Sequence, residues 1–189
     1  MSFETRQRII STATGLFTRQ GYFNTSVRDI AKAAGLSTGA VYHHFPRKKE
    51  IASAITDSTR DFLVTEFEST IAKHSELKDQ VFEIVHTMLR LADEKRDLME
   101  YALHVKHREI SPGGKPICLA EPFELLKKHF RRQMALGNIR KMDPHAAVVC
   151  LTAMPIRFMQ MKWDGAISKK LISYTNDIYE CVWRGMENS

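Results

Sequence analysis

"AAGLSTGAVYHHFPRKKE", residues 33–50, contains a stop, a restart and a charged ending. The alanines finish an amphipathic run. Gly35 accepts the left-handed backbone that closes a helix, and Ser37 carries the side-chain oxygen that opens the next. Two helices joined by so short a glycine-containing turn have helix-turn-helix spacing. The second of them runs to about Phe45, with Val41 and Phe45 on its inner edge. Its outer edge is small or polar: Thr38, Gly39, Ala40, Tyr42 and His43. Small residues in the first turns let a helix enter a major groove and meet base edges. The helix N-terminus adds unpaired N–H groups and a positive dipole end. Arg47, Lys48 and Lys49 follow at once and form a second anion site.

Outward from this stretch the apolar pattern is helical. Ile9, Ile10, Ala13, Leu16 and Phe17 share one helix face, and Gly21 ends that helix. Val27, Ile30, Ala31 and Ala34 repeat the spacing after Thr25 and Ser26, either of which suits an N-cap. A fourth helix is predicted over about 47–73, with Pro46 at its first turn and Ile51, Ile55, Phe62 and Ile71 inward. The fifth spans about 76–94 and buries Val81, Val85, Met88, Leu89 and Ala92; the sixth runs from Asp97 to about Glu109. "SPGGKP", 111–116, reads as a mobile loop and a gate. The seventh helix covers about 121–136, and the eighth runs from Asp143-Pro144 to Trp163 with a kink at Pro155. The ninth extends from about Ser168 to Met186. No alternating strand pattern stands out. The fold class is all-α, about nine helices, divided into a helix-turn-helix domain over 1–50 and a larger helical domain over 51–189.

Charge supports that division. The chain has 189 residues and a net charge of +6. Residues 1–50 hold eight Lys/Arg against three acids, whereas the remainder holds 20 against 19. An anionic partner therefore belongs to the first quarter of the chain. Cys118, Cys150 and Cys181 are far apart and odd in number, which argues against a disulfide scaffold. No apolar leader and no long apolar run stand out, so a cytoplasmic location is expected.

Residues 5–51 resemble the DNA-binding domain of the TetR family of transcriptional repressors. The matching pieces are Ala13, Leu16-Phe17, Gly21-Tyr22, Thr25-Ser26-Val27, Asp29-Ile30-Ala31, Ala34-Gly35-Leu36-Ser37, Gly39, Val41-Tyr42, His44-Phe45 and Lys48. So many positions in unbroken order are more specific than a helix-turn-helix alone. The resemblance implies base or phosphate contact by Arg28 and base contacts from Thr38, Ala40 and His43. It implies phosphate contacts from Thr25, Ser37, Tyr42, His44 and Lys48, with Gly39 and Arg47 in the same surface. His44 is equally readable as a buried histidine closing the third helix, and Tyr42 as a ring packed on the first. "PRKK", 46–49, is more basic than in many family members, which adds general DNA affinity without sequence information.

The resemblance further implies a ligand cavity among the fifth to seventh helices and a four-helix dimer interface made by the eighth and ninth. "AAVVCLTAMPIRFMQM", 146–161, is too apolar for a one-faced surface helix, and so supports an isologous homodimer. Two recognition helices then read a palindromic operator in double-stranded DNA. Phe82, His86, Met99, Tyr101, Phe123, Phe130, Met154 and Phe158 suit a bulky apolar or aromatic small-molecule effector, although ordinary core is the favoured reading of any one of them. His104 and His107 are spaced to share a metal face but lack a carboxylate or thiolate cluster, so no metal and no cofactor are expected. Redox sensing at Cys118 or Cys150 is a weaker alternative, and action as an activator stays open beside repression. No nucleophile elbow, phosphate loop or zinc-protease motif appears, so an enzyme is not expected.

Overall fold

The structure is a computed structural model that describes residues 2–104 and 121–188. Among these residues there are nine α-helices and no strand. In chain order they are α1 (Ser2–Gln20), α2 (Val27–Ala33), α3 (Thr38–His44), α4 (Lys48–Lys73) and α5 (Leu77–Glu94). Then come α6 (Arg96–His104), α7 (Glu121–Ala135), α8 (Pro144–Trp163) and α9 (Thr175–Met186). The expected gate at 111–116, Cys118 and His107 lie outside the described residues.

The chain forms two compact units. One, the headpiece, runs to Phe62 and takes up the chain again at Asp97; the other holds Leu63–Arg96 and Glu121–Ser189. α4 runs unbroken past residue 51 and belongs to both.

The headpiece core is built from helix faces. Ile9, Ala13 and Phe17 of α1, Ile30 and Ala31 of α2, Val41 of α3 and Ile51, Ala52 and Ile55 of α4 are all buried. Each large aliphatic or aromatic side chain among them contributes about 1.5–3 kcal/mol. Leu16, expected inward, is half-buried. Of the inward positions expected on α4, Phe62 and Ile71 are half-buried, and the buried stripe instead runs through Thr59, Leu63, Phe67 and Thr70. That stripe continues the helical period from Ile55.

The second unit packs α5 against α8, α9 and a 3-10 turn at Leu171–Tyr174, and α7 against α8. Ile84, Leu89, Leu91, Leu126, Phe130, Leu151 and Ile178 form its interior. A Cβ placed on Gly185 of α9 would stand 2.9 Å from the Cys150 sulfur of α8. The two helices therefore meet at a glycine.

Two boundaries differ from expectation. α4 opens at Lys48, which leaves Pro46 in the preceding turn. The ninth helix begins at Thr175, not Ser168, because Leu171 is buried and the Ile172 N–H donates to the Asp93 carboxylate at 3.2 Å. These contacts hold the segment as the 3-10 turn. α8 is one helix across the buried Pro155.

Candidate nucleic-acid interface

Three closures set the headpiece geometry. Gly21, at φ +85°, turns the chain out of α1. The Thr25 hydroxyl donates back to the Gly21 carbonyl at 2.9 Å, and the Asn24 amide donates to that of Gln20 at 3.0 Å. Ser26 is the N-cap of α2 and forms a capping box: its Oγ accepts from the Asp29 N–H at 3.1 Å, while its own N–H donates to Asp29 Oδ2 at 2.8 Å. Hydrogen bonds from the Ser26 hydroxyl and N–H hold the Asp29 carboxyl below the usual carboxylate range. Gly35, at φ +64°, makes the turn, and Ser37 caps α3 by accepting from the Ala40 N–H at 3.1 Å.

α3 is thereby fixed with Val41 buried and its opposite face open. Tyr42 is 49% exposed; His43 is exposed, and Thr38 and Ala40 are half-buried. Gly39 is exposed, and a Cβ there would meet only Ser37 Oγ, at an ordinary 3.9 Å. The protein's own packing does not require glycine at that position. Ser37 uses an acceptor lone pair in its cap, so its O–H remains a donor. Arg28 is exposed, as is Arg47, whose pair with Glu50 at 3.3 Å is a surface contact. His44 is half-buried with its ring against that of His43, 5.4 Å between centroids.

Two residues expected to meet phosphate are differently placed. Thr25 is 1% exposed and its hydroxyl is bonded inward, because it closes the turn before α2. Lys48 is half-buried, and its ammonium donates to the carbonyls of Tyr22 (2.8 Å) and Thr25 (2.9 Å) and lies 4.2 Å from the Tyr22 ring centre. Partial burial holds its pKa below that of an ordinary lysine. Sequence reasoning missed this role and also missed Arg6, whose guanidinium stacks 5.0 Å over the Phe45 ring.

The effector candidates divide between the units. Tyr101 belongs to the headpiece, where it is fully buried, and its hydroxyl lies 3.2 Å from the Ala52 carbonyl and 3.1 Å from Thr56 Oγ1. Burial raises its pKa to about 12, partly offset by the Thr56 hydrogen bond. Tyr101 is thus core in the headpiece, as is the buried Met99, and neither belongs to the second unit. In the second unit Phe130 is fully buried, whereas Phe82, His86, Phe123, Met154 and Phe158 are half-buried. Phe82 stacks on His86 and meets Tyr179 of α9 edge-on, and Phe158 packs on Tyr174. The His129 Nε2 is buried without a hydrogen-bond partner among the described residues.

Comparison with known proteins agrees with the headpiece geometry. A sequence profile described as "Bacterial regulatory proteins, tetR family" matches residues 9–55. The HTH-type transcriptional regulator AcrR of Shigella flexneri is 50% identical over 52 residues, 28% of this chain and 24% of that one. The chain thus aligns with only about a quarter of the length of that relative. The crystal structure of a TetR family transcriptional regulator, PfmR from Thermus thermophilus, matches 97% of this chain and 98% of its own at 27% identity, with a TM-score of 0.78. FadR of Bacillus subtilis, solved in complex with stearoyl-CoA, matches 93% of this chain and 96% of its own at 19% identity, with a TM-score of 0.78.

Proposed function

Starting from the chain's membership of the TetR family of bacterial regulatory proteins, we propose that it is a ligand-responsive repressor that binds a palindromic operator as a homodimer. The observation that carries this reading is α3: one face is locked by Val41, and the other offers Thr38, Gly39, Ala40, Tyr42 and His43 outward. The absence of a side chain at the exposed Gly39 permits close approach of a duplex. Thr38 and His43 read bases, and Ala40 meets a thymine methyl or nothing. Arg28, Ser37, Tyr42, His44 and Arg47 flank them for phosphate.

Dimerisation through α8 and α9 is supported by an exposed stripe of Ala146, Val149 and Ala153 along α8, in which Val149 is 59% exposed. A second copy of the same stripe would cover it. The effector is a bulky apolar or aromatic small molecule held in the second unit, with Phe82, His86, Phe123, Phe130, Met154 and Phe158 as its candidates. The Bacillus subtilis neighbour was solved with stearoyl-CoA, whose acyl chain is apolar. Effector binding weakens the operator complex only if it favours the arrangement that holds DNA poorly. α4 carries residues of both units along one unbroken helix.

The test is fluorescence anisotropy with inverted-repeat duplexes from the gene's own locus at low ionic strength. Wild type binds one of them as a dimer. Thr38→Ala combined with His43→Ala removes specific binding, since each good base contact is worth about 1–3 kcal/mol. A monomeric protein that ignores every such duplex defeats the reading.

A further inference from the structure

We propose that Lys48 is a positioning residue, a strut between the turn before α2 and the first residue of α4, and not a phosphate contact. An ammonium has three N–H donors. Here two meet the carbonyls of Tyr22 and Thr25 at 2.8 and 2.9 Å, and the cation stands over the Tyr22 ring at 4.2 Å. Two of its three hydrogen-bonding directions are thus taken up inside the headpiece, and the cation is held against an aromatic face. The two carbonyls lie in the turn that ends at Ser26, the N-cap of α2. The Tyr22 ring is itself held edge-on by Phe17 at 5.2 Å, so the strut stands on a fixed base. α2 packs on α3. Lys48 therefore sets where α2, and with it the exposed face of α3, stands relative to the start of α4. A displacement of the α4 end by its remaining turns draws on these bonds first. Arg47 and Lys49 are left as the phosphate-facing cations of the run.

The salt arm of the test rests on the DNA-binding reading; the other arms do not. Lys48→Met, Lys48→Arg and Arg47→Gln are compared with wild type. Backbone amide exchange is followed over residues 22–27, and binding to a short duplex of arbitrary sequence is measured across a salt series. In Lys48→Met, exchange over 22–27 rises about tenfold or more relative to the rest of the headpiece. Its affinity falls at every salt concentration with an unchanged slope. Arg47→Gln instead flattens the slope by about 0.9 per phosphate lost. Lys48→Arg keeps the charge yet does not restore protection, because a guanidinium cannot meet both carbonyls and the ring from this position. The proposal is overturned if Lys48→Met flattens the slope as Arg47→Gln does while exchange stays at wild-type rates, or if Lys48→Arg behaves as wild type. Should Lys48→Met not fold, the wild-type protein free of DNA decides: an isotope-labelled Lys48 ammonium shielded from exchange supports the strut, and one exchanging like the surface lysines overturns it. A wild type that ignores DNA defeats the DNA-binding reading and leaves amide and ammonium exchange to judge the strut.

Discussion

The two units are held together by different means. In the headpiece, polar groups cap helices, close turns and tie elements together: the Ser26–Asp29 box, the Ser37 cap, Thr25 on Gly21, Lys48 on Tyr22 and Thr25, and Tyr101 on Ala52. The second unit relies on broad apolar faces, above all that of α5, where Val81, Ile84, Val85, Met88, Leu89, Leu91 and Ala92 are buried. Short helices bury little area each, so their placement rests on the groups at their ends. The difference teaches where each unit is vulnerable. The headpiece loses its shape through one hydrogen bond, and the second unit through one lost volume.

The largest effect expected from breaking this contrast is in the second unit. Phe130→Ala removes a fully buried ring and destabilises by about 3–5 kcal/mol in denaturant unfolding. Cutting the headpiece's capping box by Ser26→Ala costs about 1 kcal/mol and also weakens operator binding, whereas a polar surface change on α7 such as Lys128→Gln leaves stability unmoved. A similar loss, about 1 kcal/mol, follows Tyr101→Phe. Tyr101 also gives the headpiece an alkaline limit. Its folded pKa of about 12 stands above the ordinary 10.0, so the unfolded chain loses its proton first. The tyrosine's contribution is complete below the ordinary value and declines as pH rises through the folded one. Tyr101→Phe should flatten the stability profile across that interval. The smallest effect belongs to Arg47→Gln: the exposed pair with Glu50 contributes little, so the thermal midpoint stays put and only the salt slope of DNA binding changes.

The same contrast explains what the sequence disclosed. Turn and cap chemistry uses few residue types at fixed spacings, so Gly21, Gly35 and Ser37 could be placed before any coordinates. The outer face of α3 was legible for the same reason. The cap of α2 was narrowed to Thr25 or Ser26, and only the geometry of Asp29 separates them. The carbonyl contacts of Lys48 were hidden, because a lysine in a basic run looks like its neighbours until a carbonyl is found beside it. In the second unit the periodicity predicted the helices and the inner face of α5. It did not distinguish a cavity-lining aromatic from a core one, since both obey the same spacing. Tyr101 shows that ambiguity: it is fully buried in the headpiece, with its hydroxyl against Ala52 and Thr56. The inner stripe of α4 drifted because Phe62 and Ile71 are apolar without being on the buried line, while the buried Thr59 and Thr70 are polar.

The chain leaves the headpiece after Phe62 and returns to it at Asp97. A ribosome emits the chain in one direction, so the first three helices emerge well before the tyrosine hydroxyl that meets Ala52 and the aspartate that receives Arg19 at 2.8 Å. The nascent headpiece must wait, incomplete, while the intervening α5 is made. A gene fragment cut at the end of the helix-turn-helix would reproduce that waiting state and not the finished unit.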